Sequence, residues 1–309
     1  MNFTERAKAE LTERSAEDKK AYLSGFLRAA GSLVLSGGKI GFEFSTENEG
    51  AAKCAKRLFF SAFSVELGEG KEESDALNKK QRFTFLYAGE RAEHILRELG
   101  ILAQGGVELG VPAELLRSDG AKKSFLRGVF VGAGSLTVPK RKEEGESSTG
   151  YHLGFALSNE DFARGVEQML CAMGLHAKTA ARRGKSEPYI KSAEEIKDFL
   201  AAIGAPKAAL ALTDIMIERE VMSDTNRRMN CDLANVSKQV DAAEKSIAAI
   251  WKLKESGRLD KLKPSLRETA LAREEYAEES LQDLAERLGI TKSCLNHRLR
   301  KLAELAKEG

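Results

Sequence analysis

The sequence lacks any pair of cysteines spaced for a metal site or a redox motif. No Cys-x-x-Cys pair occurs, and zinc binding and thiol redox chemistry are therefore not expected. Separated thiols are typical of a reducing cytoplasm, where they lie buried or half-buried without a partner. The cysteines stand far apart in the chain, as Cys54, Cys171, Cys231 and Cys294.

The chain also lacks a large net charge and a long apolar run. Its 309 residues carry a formal net charge of only +2, so binding to a polyanion must come from local basic patches. Residues 1–20 are charged and contain no apolar core of a signal peptide. No apolar run approaches the roughly 20 residues of a membrane span. We expect a cytoplasmic protein with no membrane partner and with two or three domains.

An internal repeat occupies the first two thirds of the chain. Its copies share a Leu-x-Gly near the start of one helix and an Ala-Gly-Ser-Leu at its end. Each copy reads as helix, strand pair, helix, strand pair and helix, which predicts repeats at about 20–105 and 122–206. The matching stretches are 21–33 with 124–136, 42–59 with 155–170, and 94–100 with 197–204.

Turn residues and apolar spacing place the elements within each copy. Gly37-Gly38 lies between two β-prone stretches, as at a hairpin tip, and a second hairpin is expected near Arg183-Gly184-Lys185. Apolar residues at helical spacing predict helices over 49–63 and 160–173. The second copy also contains an acidic, serine-rich loop at 142–150.

Strand signals disappear after Pro206, and helix-forming residues dominate the rest of the chain. We expect helices at about 208–222 and 232–256, separated by a polar, basic elbow at 224–230, and a hinge at 261–264. The expected domain limits are 1–206 for the two-repeat domain, 207–262 for a helical linker, and 263–309 for a compact helical domain.

The C-terminal segment has the pattern of a helix-turn-helix. Apolar residues recur at helical spacing from Leu281 to Leu288 and again from Leu295 to Leu302. Ser280 and Thr291 are suited to cap the two helices at their N-termini, and Gly289 is suited to end the first. The short turn between two amphipathic helices is typical of a DNA-binding module.

The side of the second helix opposite the leucines is polar, and no acidic residue occurs from Thr291 to Lys301. A helix that enters the major groove needs donors for base edges and phosphates. An upstream helix at 265–276 would complete the module with its acidic end turned away from DNA, whereas a solvated basic face is the alternative. We expect base contacts from Ser293, Asn296, His297 and Arg300, and phosphate contacts from Lys292, Arg298 and Lys301.

Two other basic segments are candidates for additional DNA contacts. One is the hairpin around Arg183, for which a solvated hairpin tip is the alternative. The other is the polar stretch 226–243, which would either touch the phosphate backbone or fix the angle between domains. The candidate secondary contacts are Lys178, Arg182, Arg183, Lys185, Arg227, Arg228 and Lys238.

The repeated helices at 23–31 and 126–134 resemble the LAGLIDADG motif of homing endonucleases. In that family two such helices pack about a pseudo-twofold axis, and the last acidic residue of each motif holds divalent metals. Here those positions are Ala30 and Ala133, and an alanine methyl group supplies no carboxylate oxygen to a magnesium ion. We therefore expect no metal site and no nuclease activity. The repeat would instead contact DNA through its sheets or bind protein.

The chain as a whole resembles the WhiA family of bacterial regulators. The resemblance implies an α+β fold: a pseudo-twofold, two-repeat LAGLIDADG-like N-terminal domain, a helical linker and an all-α helix-turn-helix C-terminal domain. The loop at 142–150 departs from the family pattern, so the resemblance does not define the contribution of this hairpin to DNA binding. The stretches that carry this resemblance are 124–136, 151–161, 226–243 and 295–302.

The resemblance also implies a function. It predicts a sequence-specific DNA-binding regulator of cell division, chromosome segregation or sporulation that is associated with the nucleoid and needs no cofactor. The implied partners are double-stranded DNA and a WhiB-like regulator or an RNA polymerase sigma factor. The alternatives are an adaptor that docks on the transcription machinery and a residual homing endonuclease.

Overall fold

A computed structural model describes residues 2–68, 73–74, 81–139 and 150–308. The chain divides into two compact units, Met1–Glu218 and Arg219–Gly309. Apart from Gly150, the acidic loop singled out in the sequence lies outside the described residues. Across the described ranges, no helix is both long enough and apolar enough to cross a membrane.

The elements of the first unit alternate between helices and short strands, and helix α8 begins in this unit and ends in the second. The helices are α1 (Phe3–Glu13), α2 (Lys19–Ala30), α3 (Glu49–Phe63), α4 (Ala92–Glu98), α5 (Asp119–Ala133), α6 (Glu160–Ala172), α7 (Ala193–Ala202) and α8 (Pro206–Glu255), with a 3-10 turn at Ala113–Leu115. The strands are β1 (Gly31–Ser36), β2 (Lys39–Thr46), β3 (Glu73–Ser74), β4 (Gln81–Tyr87), β5 (Leu102–Ala103), β6 (Gly106–Val107), β7 (Gly134–Thr137), β8 (His152–Phe155), β9 (Lys178–Arg182) and β10 (Lys185–Ile190).

The predicted repeat is confirmed by two antiparallel sheets of the same topology. Their strand orders are β1-β2-β4-β3 and β7-β8-β10-β9. The registers also match, because Gly31 pairs with Phe44 in the first sheet and Gly134 pairs with Phe155 in the second. Each of these glycines directly follows a helix of the repeat, so both copies leave the helix and enter the sheet in the same way.

Both predicted hairpins are present, and each turn uses left-handed backbone. Gly37 and Gly38 have φ of 57° and 76°, and Arg183 and Gly184 have φ of 51° and 73°. Two consecutive positive φ values define the turn whose twist matches that of antiparallel strands. The predicted helix at 49–63 is α3, with its N-cap Asn48 accepting a hydrogen bond from the backbone of Ala51.

Aromatic rings fill the space between helices and sheet in each repeat. In the first copy Phe44 lies with its ring centroid 5.2 Å from Phe26 and 6.2 Å from Phe59. In the second copy Phe155 lies 6.3 Å from Phe130 and 5.7 Å from Phe199. All six rings are fully buried or nearly so, and burial of such side chains stabilises each by about 1.5–3 kcal/mol.

The expected elbow at 224–230 is wrong, because α8 is one continuous helix through this stretch. The sequence contains neither glycine nor proline between Lys207 and Glu255, so no residue breaks the backbone hydrogen-bond ladder. Polar residues such as Asp224 and Asn226 lower helix propensity by only a few tenths of a kcal/mol each. Polarity alone therefore did not indicate a helix end here.

The second unit is helical, as expected. After α8 a 3-10 turn at Leu259–Lys261 leads into α9 (Pro264–Glu275), α10 (Leu281–Arg287) and α11 (Lys292–Leu305). The end of α8 belongs to this unit's core, since Ile250 and Leu253 are buried in it. The other fully buried or nearly buried members are Leu259, Ala270, Leu284, Ala285, Leu295, Leu299 and Leu302.

Candidate nucleic-acid interface

The predicted helix-turn-helix consists of α10 and α11 with a short turn between them. The hydroxyl of Ser280 accepts a hydrogen bond from the Asp283 amide at the start of α10. Thr291 does the same for the Cys294 amide at the start of α11. Gly289 has φ of 64°, a left-handed conformation that glycine adopts without steric cost. The capping residues thus fix both ends of the turn.

One face of α11 is buried, as the leucine spacing predicts. Leu295 and Leu302 are fully buried or nearly so, and Leu299 is 8% exposed. Ala285 of α10 is also buried, which lets the two helices approach closely. Helix α9 packs against α11 as the third helix of the module, in agreement with the sequence prediction. The three buried leucines therefore determine which side chains of α11 face outward.

The outward face of α11 carries polar and basic side chains without internal partners. Among the described residues, none hydrogen-bonds to or ion-pairs with the side chains of the exposed residues Lys292, Ser293, Asn296, His297 and Arg300. Lys301 is also exposed, and its Nζ lies 3.4 Å from the Glu304 carboxylate. Donors that are unpaired and exposed are available to an external ligand without the loss of an internal contact.

Arg298 differs from the other predicted contacts because it is half-buried and internally bonded. Its Nη1 donates to the backbone carbonyl of Ser265 and to the hydroxyl of Thr269, both at 3.3 Å. Both acceptors are on α9. The side chain therefore joins α11 to α9, a contact that helical spacing within α11 could not indicate.

Two acidic residues, Glu274 of α9 and Glu279 of the α9–α10 connection, form ion pairs within the unit. Arg287 donates to both carboxylate oxygens of Glu279 and lies 3.9 Å from the ring centroid of Tyr276. Lys254 of α8 donates to Glu274 at 2.7 Å. These pairs neutralise carboxylates close to the module, so the basic face of α11 keeps its local positive charge.

Buried Arg273 is a second structural arginine that the sequence did not indicate. Its Nη1 donates to the backbone carbonyl of Glu279 at 2.7 Å, and burial lowers the pKa of its guanidinium. The bond closes the connection between α9 and α10. A buried arginine on an acidic helix gives no sequence signal that separates it from a surface cation.

The predicted secondary contacts lie on two different elements. On the β9–β10 hairpin Arg182 is 3.6 Å from Glu187, whereas the other three cations have no ion pair with a described residue. On α8 Arg227 pairs with Asp224, and Arg228 and Lys238 are exposed. The three hairpin cations without an ion pair are Lys178, Arg183 and Lys185.

Ala30 and Ala133 are the last residues of α2 and α5. The two helices approach closely there, since a Cβ added at Gly132 would lie 3.3 Å from the Cβ of Ala30. Divalent cations of the kind held by LAGLIDADG endonucleases do not fit these residues, because methyl groups are not ligands. Within the described part of the chain no three His, Cys, Asp or Glu side chains are grouped closely enough to hold a metal ion.

The fold and this surface define a class of protein in which a two-repeat α+β unit, built on a central helix pair, precedes a helix-turn-helix. Family models match both parts: the WhiA N-terminal LAGLIDADG-like domain over 16–102, the WhiA LAGLIDADG-like domain over 122–222, and the WhiA C-terminal HTH domain over 225–306. The chain belongs to the WhiA family.

Relatives match over the full length of the chain. One from Clostridium novyi, named probable cell division protein WhiA, is 33% identical, with 100% of this chain and 98% of the relative covered. One of the same name from Staphylococcus haemolyticus is 36% identical over 99% of this chain and 96% of its own. The crystal structure of full-length WhiA from Thermotoga maritima has a TM-score of 0.58 at 25% identity and covers 100% of this chain and 99% of its own.

Proposed function

We propose that this protein is a sequence-specific DNA-binding regulator that inserts α11 into the major groove. The observation that carries the proposal is the outward face of α11, which is exposed, acid-free from Thr291 to Lys301 and, apart from Lys301 and Arg298, without internal partners. Short polar side chains and an arginine are the groups that read base edges. We assign this role to Ser293, Asn296, His297 and Arg300.

The remaining cations of α11 would contact phosphates. Lys292 lies at the N-terminus of the helix and Lys301 about two and a half turns further on, so the two side chains lie on opposite sides of the helix and can reach the backbone on either side of the groove. Arg298 would do so only with the N–H groups that its bonds to α9 leave unused. The hairpin and α8 cations would add weaker phosphate contacts.

We also propose that the protein does not cleave DNA. Ala30 and Ala133 replace the metal-holding acids of the endonucleases, and Glu160, an acidic residue on α6, pairs with Arg164 at 2.5 Å. Supercoiled plasmid incubated with the protein and magnesium or manganese should stay intact. Nicking that co-purifies with the full chain and disappears on substitution of an acidic residue would contradict this.

The names of the relatives support a role in cell division, and we extend the proposal to chromosome segregation or sporulation. Binding to chromosomal sites would place the protein on the nucleoid. A WhiB-like regulator or a sigma factor is the proposed protein partner. In the adaptor alternative the helix-turn-helix would dock on such a partner, and binding to DNA would show a flat dependence on salt.

The decisive test is selection of binding sites from random duplexes with the full chain. We expect an enriched motif, and we expect the double substitution of Asn296 and Arg300 to alanine to abolish the enrichment while the fold is kept. Lys307→Ala removes an exposed cation beyond the end of α11 and serves as the matched control. Equal enrichment by the double variant and the control would show that α11 does not recognise the DNA sequence.

A further inference from the structure

A cavity of about 290 Å³ opens in the first unit. It lies between the C-terminal end of α2, the start of β1, α4 and the N-terminus of α6. Its walls are mostly apolar, which is typical of small-molecule sites. Its apolar lining includes Leu27, Leu33, Phe42, Leu96 and Phe162.

Arg28 brings a positive charge to this apolar space. Its Nη1 donates to the carbonyl of Glu108 and its Nη2 to the carbonyl of Gly100, each at 2.5 Å. Its Nε is buried and has no hydrogen-bond partner. No carboxylate of the described residues forms a salt bridge with it. Burial lowers the pKa of Arg28 to about 10, which leaves the guanidinium charged at neutral pH.

Two further donors line the same cavity. The Asn159 side-chain oxygen accepts from the Phe162 amide at 2.8 Å, so its Nδ2 remains free to donate. The hydroxyl of Ser32 has no partner among the described residues. Glu108 is the one carboxylate in the lining. The charge of half-buried Arg28 and the free donors of exposed Ser32 and half-buried Asn159 make this part of the lining complementary to an anion.

We propose that the cavity binds a small carboxylate with an apolar body. The carboxylate oxygens would accept from the Arg28 Nη N–H groups that its two carbonyl bonds leave unused, from Ser32 Oγ and from Asn159 Nδ2. The hydrocarbon part would lie against Phe42 and Phe162. Of the two residues whose carbonyls accept from Arg28, Gly100 lies near the end of the first repeat and Glu108 lies in the segment between the two repeats. A bound carboxylate would therefore stabilise the junction of the repeats.

The probe is hexanoate, with hexanol and hexylamine as uncharged and cationic controls of similar length. Thermal unfolding of the full chain should shift upward with hexanoate at about 1 mM and above, and neither control should shift it. Acetate, which lacks the apolar body, should bind at least about tenfold more weakly, since each buried methylene contributes about 0.8 kcal/mol. An equal shift with hexylamine or no shift with hexanoate would overturn the proposal. Binding of hexyl phosphate without hexanoate would overturn the choice of carboxylate.

Variants locate the site without removing the arginine that holds the segment. Ser32→Ala is at an exposed position and should weaken binding about fivefold through the loss of one hydrogen bond. Glu108→Gln removes the carboxylate that competes for the guanidinium, so it should tighten binding. Leu33→Trp should fill the cavity and abolish binding, with circular dichroism as the check on folding. Unchanged hexanoate affinity in Ser32→Ala and Leu33→Trp would place the ligand elsewhere.

Discussion

Gly25 and Gly128 occupy equivalent positions on the two central helices, and each faces the backbone of the other helix. A Cβ at Gly25 would lie 2.2 Å from the carbonyl oxygen of Phe125. A Cβ at Gly128 would lie 2.1 Å from the carbonyl oxygen of Tyr22. The contact is reciprocal, because each carbonyl lies three residues before the opposing glycine. The pseudo-twofold axis thus passes through a backbone contact that only glycine permits.

Substitution of either glycine should therefore separate the repeats. We expect Gly128→Ala to lower the free energy of unfolding by about 3 kcal/mol, since a rigid helix backbone cannot yield as a flexible side chain does. Urea unfolding monitored by circular dichroism measures the change. Gly105→Ala, where a Cβ meets nothing within 4 Å, is the matched control. Equal stability of both variants would show that α2 and α5 are not in this contact.

A second long-range contact joins α1 to the start of α8. The carboxylate oxygens of Glu10 accept from the backbone amides of Lys207 and Ala208, each at 2.9 Å. A carboxylate at a helix N-terminus satisfies unpaired amides and interacts with the helix dipole. Glu10→Ala should cost about 1–2 kcal/mol. The exposed Glu13→Ala is the control, and its stability should remain within about 0.5 kcal/mol of the parent.

The repeat was predictable because the two copies of a symmetric fold need the same residue types at equivalent positions. Small residues had to recur at the helix contact, and glycine had to recur where each helix enters its sheet. The helix at 49–63 was predictable from local signals, such as the cap at Asn48. Features of this kind depend on neighbours in sequence or on a copy of the same pattern.

What could not be predicted depends on partners distant in sequence. Glu10 and Lys207 are far apart in the chain, and nothing near Glu10 indicates a cap on α8. Within α11 the spacing separated buried from outward positions, but the bonds of Arg298 to α9 depend on how the helices pack. The polar residues at 224–230 predicted a break in α8, but none of them interrupts the backbone hydrogen bonds of the helix.

Lys8 should make stability depend on pH. It is half-buried, with its Nζ 5.9 Å from the ring centroid of Phe130, and burial lowers its pKa from 10.5 to about 8. Between these values the unfolded chain binds more protons than the folded one, so the free energy of unfolding rises with pH. Below pH 8 the folded protein carries the full cost of the buried charge.

Lys8→Met should therefore be more stable than the parent at pH 7, by about 1–2 kcal/mol after allowance for partial solvent access. The advantage should shrink between pH 8 and 10, as Lys8 loses its proton in the folded parent. Urea unfolding across this range measures it. The exposed Lys123→Met should show a difference that does not change with pH. A constant advantage for Lys8→Met would mean that its ammonium group is fully hydrated.

Arg298 and Arg300 offer a direct comparison between a structural and an exposed cation two positions apart. Arg298→Ala removes two hydrogen bonds to α9 and should lower the stability of the second unit by about 1–2 kcal/mol. Arg300→Ala removes none and should leave the stability within about 0.5 kcal/mol. Thermal unfolding of the full chain separates the two. Equal loss in both variants would contradict the internal role of Arg298.

Affinity for a selected DNA site should show the opposite order, with a larger loss for Arg300→Ala than for Arg298→Ala. Arg300 is exposed and without an internal partner, so its loss removes only contacts to DNA, at a cost of about 1–3 kcal/mol. If it reads a base, the loss should relax specificity at one position and leave binding to random duplex nearly unchanged. If it contacts a phosphate, binding should weaken on all duplexes, and the slope of log affinity against log salt should fall by about one.

Fluorescence anisotropy at several salt concentrations distinguishes these outcomes, with Lys307→Ala as the control. Affinity equal to the parent on the selected site would exclude Arg300 from the interface.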